Sequence, residues 1–411
     1  MNLLATALLL IPVGLSGQSS DSSFTAYLLQ SAKPLAIRNG RLQGAGASWL
    51  QSEADSAQFV FLGEDHGLAE TELVTSAVWR TLVPLGYRHL ALEEGPWIVS
   101  LMDRYVRGRG TEALAAYRAA IVPGLPPASA EHLDLVETLR QTTPHERGPV
   151  VWGLDQEQRA APLLSRLVAL APTPTSRVVA EATLAEAQRR EATGHYLLDG
   201  YADQIGALQR AFSGRTSQET AWLLALLAQS NRIYDNNNAP AAEQRGYAAN
   251  QEREDMMKGW FLASYRSAQH SGETRPRVLL RLGDWHGMRG YSPTQVSSLG
   301  NFVAELARVE GGRLFNIAMT CGGGERSGIG EAAGQVQPCG AEQAAWFQPI
   351  LPALSPPMTI FDLRPLRAAH HAGLVRVPAE LVQYVYSYDA LLIVSRSSAL
   401  HFPSAPAHSQ P

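Results

Sequence analysis

Residues 59–70 read FVFLGEDHGLAE. Four apolar residues, Phe59-Val60-Phe61-Leu62, run into Gly63. Glu64, Asp65 and His66 then arrive at consecutive positions, and Gly67 follows. From Leu68 to Val83 the apolar spacing is that of an amphipathic helix. The pattern predicts a buried strand, a tight turn and a helix start, with three ionisable groups at the strand's carboxyl end. In open α/β sheets that edge is where ligands bind. Taken alone, the two acids could equally be capping the positive end of the helix.

Three further runs repeat the arrangement. His89-Leu90-Ala91-Leu92 ends in Glu93-Glu94-Gly95-Pro96, Pro149 to Leu154 ends in Asp155, and Val278 to Leu282 ends in Gly283-Asp284-Trp285-His286-Gly287. Capping does not account for carboxylates and imidazoles at the same end of four strands; convergence on one crevice above a parallel sheet does. Helical patterns at 68–83, 97–106, 111–120 and 129–141 alternate with these strands, which favours right-handed crossovers. Pro84 and Gly86 punctuate the first helix's exit. The expected fold class is α/β, with a mostly parallel central sheet flanked by helices.

Between residues 160 and 270 strand patterns vanish, and Ala, Leu, Gln, Glu and Arg dominate. This predicts a helical insertion covering the strand carboxyl ends. Around it, residues 59–159 and 271–398 form the two parts of the core. Further strands are expected at 314–319, 358–361 and 390–394, with a helix at 301–309. Residues 18–58 read as an N-terminal segment that is loose to about residue 30 and contains one helix before the first core strand. Residues 399–411 read as a disordered tail.

The totals limit the partners. Of 411 residues, 45% are hydrophobic and 18% charged, which suits a globular chain with a substantial core. A net charge of −4 gives no reason to expect nucleic acid as a partner. Residues 3–13 are apolar, but a bilayer span needs about 20 residues, so stable membrane insertion is not expected. The run suits a signal peptide over residues 1–17 and export to a periplasmic or extracellular compartment. Cys321 and Cys339 are the two cysteines; in an exported protein they read as a disulfide.

The candidate chemistry follows from residue types. A histidine beside a carboxylate has its cation favoured and its tautomer fixed. His66 is therefore the expected general base drawing a proton from water, with Glu64 orienting it, although the two roles could be exchanged. His286 is the expected partner, as general acid or as donor to a developing oxyanion; the plainer alternative is a buried histidine bonded to Asp284. Asp155 and Glu70 are candidate supporting groups. The chain has no GxSxG elbow after a strand, no P-loop and no GxGxxG turn, so direct attack by water on a small-molecule substrate is expected.

GEDHGLAE, ALEEGPWIVSLMDRYVRG, VWGLDQE, RLGDWHGMRG and YDALLIV together resemble the erythromycin esterase-like family. That family is related to ChaN-like haem-binding lipoproteins and to TIKI/TraB-type proteins. The likeness spans residues 59–395 and is strongest at Glu93 with Tyr105-Val106-Arg107-Gly108. It implies an ester- or lactone-cleaving hydrolase, with a macrolide-like substrate and a role in antibiotic resistance within its scope, and it favours Glu93 over Glu94 as the second site carboxylate. It also implies a role for Arg253, which sits in a helical arginine-acid motif with Met257 four places later. One departure is the single residue between Glu64 and His66, which is more similar to the ChaN and TIKI relatives. The TIKI likeness implies a metal-dependent peptidase in which His66, Glu93 and His286 hold a divalent ion. The ChaN likeness implies a haem or iron binder. The expected state is without a cofactor.

Overall fold

The computed structural model describes residues 20–108, 110, 112–143, 148–214, 216–328, 335–340 and 346–403. Residues 1–19, with the expected signal peptide, and residues 404–411 lie outside them. The centre is a nine-stranded sheet. Its strands are β1 (Ala32–Arg38), β2 (Arg41–Gln43), β3 (Phe59–Glu64), β4 (His89–Leu92), β5 (Val151–Gly153), β6 (Val278–Gly283), β7 (Leu314–Cys321), β10 (Met358–Asp362) and β11 (Ala390–Val394). Their order is β2-β1-β10-β11-β7-β3-β6-β4-β5. The six strands from β11 to β5 are mutually parallel, and β10, β1 and β2 extend the sheet antiparallel. A separate hairpin pairs β8 (Glu325–Ser327) with β9 (Val336–Pro338).

β3 is buried at all six positions, as a parallel strand covered on both faces must be. Val60 and Leu62 face a core shared with α2 (Ala45–Ser56), α3 (Ala69–Leu82), α4 (Pro96–Val106), α5 (Glu112–Ala120) and α6 (Ala130–Thr142). Phe59 and Phe61 face the opposite core, built with α11 (Gly246–His270) and α13 (Leu299–Val309). The chain leaves β3 toward β4 on one side and returns from β6 to β7 on the other. The crevice above β3 and β6 therefore lies where the order of connection reverses.

Between β5 and β6 the chain is helical: α7 (Ala160–Leu170), α8 (Pro174–Ala192), α9 (Ala202–Ala211), α10 (Gln218–Asn237) and then α11. The first four build a second apolar cluster, which Trp97 of α4 and Ala120 join. The amino-terminal half of α11 and the end of α10 reach the strand carboxyl ends.

Several local expectations are corrected. Residues 20–30 are not loose but form α1 (Ser20–Gln30), because Phe24 and Leu28 bury against the sheet's other end with α14 (Arg364–His371) and α15 (Ala379–Ser387). The 18–58 segment also supplies β1 and β2, which the sequence did not reveal; β1 alternates imperfectly and includes Pro34. Residues 399–401 are held rather than free: Ala399 bridges Leu68, and the His401 imidazole pairs with Glu131 at 2.6 Å. Cys321 and Cys339 are joined in a disulfide and buried, and Ser327 packs against the Gly67 turn.

Candidate active site at the sheet's carboxyl edge

Register builds the site. β3 pairs with β6 so that Glu64 lies beside Gly283, and β4 pairs with β6 so that Leu92 lies beside Arg281. Glu93, one residue beyond β4, then reaches across, and the Gly283 amide donates to its Oε2 at 2.6 Å. Gly283 carries no side chain for a reason: a Cβ there would stand 2.8 Å from His66 Nε2 and 3.2 Å from Glu93 Oε2.

His66 hangs between two carboxylates. Its Nδ1 lies 3.2 Å from Glu64 Oε1 and its Nε2 lies 3.8 Å from Glu93 Oε2. Burial disfavours the imidazolium, but Glu64 and then Glu93 outweigh it and carry His66 up to about 9. His286 is held more tightly, with Nδ1 at 2.7 Å from Glu254 and Nε2 at 3.3 Å from Glu93 Oε1. Burial again opposes the charge, and Glu93 and Glu254 push His286 up to about 10. The Glu93 carboxyl, despite its burial, is held well below the usual range by His286, His66 and Arg253.

Two arginines complete the charge balance. Arg253 donates to Glu93 at 2.6 Å and forks onto Asp155 at 2.6 and 2.9 Å. Arg281, buried inside the apolar run of β6, donates to Glu64 at 3.1 Å and pairs with Glu72 at 3.2 Å. Burial raises Glu64, but Arg281 and His66 bring it below its ordinary value. Glu64, His66, Glu93, Asp155, Gln156 and Arg253 all line one cavity of about 290 Å³, together with the insertion's Tyr234.

The structure thus brings together Glu64, His66, Glu93, Asp155, Arg253 and, behind Glu93, His286. It separates others. Glu94, the neighbour of Glu93, also borders the cavity, but its carboxylate turns to the α3 and α6 side, where Tyr117 donates to it at 3.0 Å and His132 lies 3.6 Å away. Glu70 does not join the cluster: it accepts from the Ser398 amide at 3.0 Å at the exposed end of α3. Asp284 does not bind His286; it accepts from the Tyr384 hydroxyl at 2.5 Å and faces a second cavity. Among the described residues, Glu64, His66 and Glu93 offer three donor atoms within 4.8 Å of one another, a different trio from the one the TIKI likeness implied.

Three contributors were missed in the sequence. Arg281 had a signal: a cation within an apolar strand needs buried carboxylates. Glu254 had only its adjacency to Arg253, yet it also accepts from the Leu299 amide at 2.7 Å and so ties α11 to α13. Arg326, from the hairpin, pairs with Asp65 at 2.7 Å, and no sequence pattern placed it there.

An α/β sheet with paired imidazoles and carboxylates at its carboxyl edge is the class of protein that this fold and site define. Solved structures agree on the fold. A succinoglycan biosynthesis protein aligns with a TM-score of 0.61 and 15% identity over 94% of this chain and 100% of its own. A Bacillus cereus protein aligns with a TM-score of 0.58 and 16% identity over 93% and 99%. A mutant erythromycin esterase in its open conformation aligns with a TM-score of 0.56 and 13% identity over 86% and 94%. These place the chain in a fold that an erythromycin esterase shares. No family model and no curated protein matches the sequence.

Proposed function

We propose that this protein is a hydrolase of carboxylic esters or lactones, with water as the nucleophile. The observation that carries the reading is His66, suspended between Glu64 and Glu93 at the wall of a cavity that Arg253 also lines. The 3.8 Å between His66 Nε2 and Glu93 Oε2 exceeds a hydrogen bond, and a water held by both would sit facing the cavity. His66 takes the water's proton as the oxygen attacks the acyl carbon, and the carbonyl becomes an oxyanion that Arg253 stabilises. Collapse breaks the bond from the acyl carbon to the alkoxy oxygen, and the proton held by His66 passes to the leaving alcohol. His286 acts through Glu93: locked between two carboxylates, it keeps Glu93 ionised and in place. The fold shared with an erythromycin esterase is compatible with a macrolide lactone as one substrate.

A metal-dependent reading is motivated by the Glu64, His66 and Glu93 donors. What favours the metal-free one is that both Glu93 oxygens and Glu64 Oε1 are already engaged. Glu93 accepts from Arg253 and from the Gly283 amide, and Glu64 accepts from Arg281. Two guanidiniums would crowd a divalent ion, so the donor set does not fit one. The buried disulfide supports export to an oxidising compartment. Among the described residues, no helix is long and apolar enough to cross a membrane.

A panel of esters, lactones and peptides, assayed with wild type and His66→Ala and with and without chelator, tests this. Expected is ester or lactone hydrolysis that survives chelation and falls by about a hundredfold or more in the variant. Peptide cleavage that chelation abolishes would instead support the metal reading. The hydrolase proposal fails if no substrate distinguishes the two proteins.

A further inference from the structure

A second cavity, about 340 Å³, lies beside the first, lined by Ala318, Met319 and Thr320 near the end of β7 and by Leu391 near the start of β11. The turn between β3 and α3 divides the two: Asp65 lines the second cavity and His66 the first. Its walls are largely apolar and aromatic, with Leu28, Met319, Trp346, Leu381 and Tyr384 among them. Trp285 stands at its mouth, 48% exposed.

Three acidic residues, Asp65, Asp284 and Glu380, line this space, and no Lys, Arg or His among the described residues does. Asp65 has its charge matched from outside the cavity by Arg326. Asp284 is met instead by the neutral hydroxyl of Tyr384. An apolar chamber whose Asp284 carboxyl meets the Tyr384 hydroxyl and the Trp285 amide, with no cationic side chain among the described residues on its walls, disfavours an anion and leaves a neutral hydrocarbon with unused polar contacts. A cation on a hydrophobic body satisfies both, because aromatic faces attract positive charge as the carboxylate does.

We propose that this second cavity binds an apolar cation, a protonated or quaternary amine on a hydrophobic body, with the charge against Asp284 and the body against Trp285, Trp346 and Tyr384. On the hydrolase reading, which the binding itself does not require, an ester carried on such a body would reach the neighbouring His66.

Calorimetry or tryptophan fluorescence with three probes tests it: benzyltrimethylammonium, its uncharged tert-butyl analogue and benzenesulfonate. The cation is expected to bind about tenfold or more tighter than the other two. Asp284→Asn should bring the cation down to the level of the uncharged analogue. Leu381→Arg, which sets a like charge on the cavity wall, should abolish cation binding even where Asp284→Asn folds poorly. His66→Ala should leave binding intact, so failed hydrolysis and a failed subsite are separate results. Equal or better binding of the uncharged or anionic probe by wild type overturns the proposal, as does cation binding unchanged in Leu381→Arg.

Discussion

His66 and His286 are both imidazoles surrounded by carboxylates, yet their settings differ in what each can do. The His66 side chain is 38% exposed and the His286 side chain 12%. Only His66 is among the residues lining the cavity of the proposed reaction. A base must be deprotonated to act, and Glu64 and Glu93 hold the His66 proton up to about 9. The expected pH profile of kcat/KM therefore climbs with unit slope through neutrality and levels near pH 9. Were Glu64 the base instead, the same limb would lie at acidic pH, because its carboxyl is held below the ordinary value. The pH dependence of the ester assay thus separates two roles that the sequence left interchangeable. The same linkage acts on stability. A group whose proton is bound more tightly in the fold stabilises fully below its unfolded value of about 6.5. That contribution fades as pH rises through about 9 and 10, the values for His66 and His286.

Elements meet at the site through close backbone approach. β3 and β6 lie side by side, and the chain beyond each must pass the other's side chains without room to spare. Gly283→Ala places a methyl 2.8 Å from His66 Nε2, against an imidazole clamped by Glu64 and Glu93. Its φ of −50° is ordinary for alanine, so backbone strain plays no part. Activity should fall by about a hundredfold from displacement of the reacting groups, with a stability loss of about 1–3 kcal/mol. Steady-state kinetics beside a urea titration checks this; unaltered kcat/KM would show that the imidazole can move aside. α11 is the other decisive element. Consecutive residues leave it in two directions, Arg253 to Glu93 and Asp155, Glu254 to His286 and Leu299. One helix thereby fixes a cation of the proposed site and the anion behind it.

At the scale of the molecule, a distant hairpin closes over the Asp65–Gly67 turn. Gly67 adopts a φ of +90°, and a Cβ there would run into the Ser327 carbonyl. The hairpin carrying Ser327 and Arg326 is tied back by the Cys321–Cys339 disulfide, across a separation of 18 residues. Loop closure of that size contributes about 3 kcal/mol. The Cys321→Ser/Cys339→Ser double variant should lose stability on that order in denaturant titration, and proteolysis should find the 321–340 segment first. Resistance equal to wild type would mean that the hairpin's own packing suffices.

The run FVFLGEDHGLAE fixed a parallel strand and its polar end, because a strand covered on both faces must be apolar throughout and its ionisable groups are forced to the turn. The same logic found β4, β5 and β6, and with them Glu64, His66, Glu93, Asp155 and His286. Whether Glu93 or Glu94 faces His66 was not legible from strand periodicity, since both follow the last residue of β4; register with Gly283 decided it. Arg281, Glu254 and Arg326 were settled only by tertiary structure. Each is placed by which strand or helix packs beside it, and their partners lie 217, 32 and 261 residues away. Asp284 shows the same limit: two residues from His286 along the chain, it turns to Tyr384 and another cavity, because a single helical turn points its first and third residues in different directions. Local pattern determined which groups would stand at the edge of the sheet, and packing alone determined which of them meet.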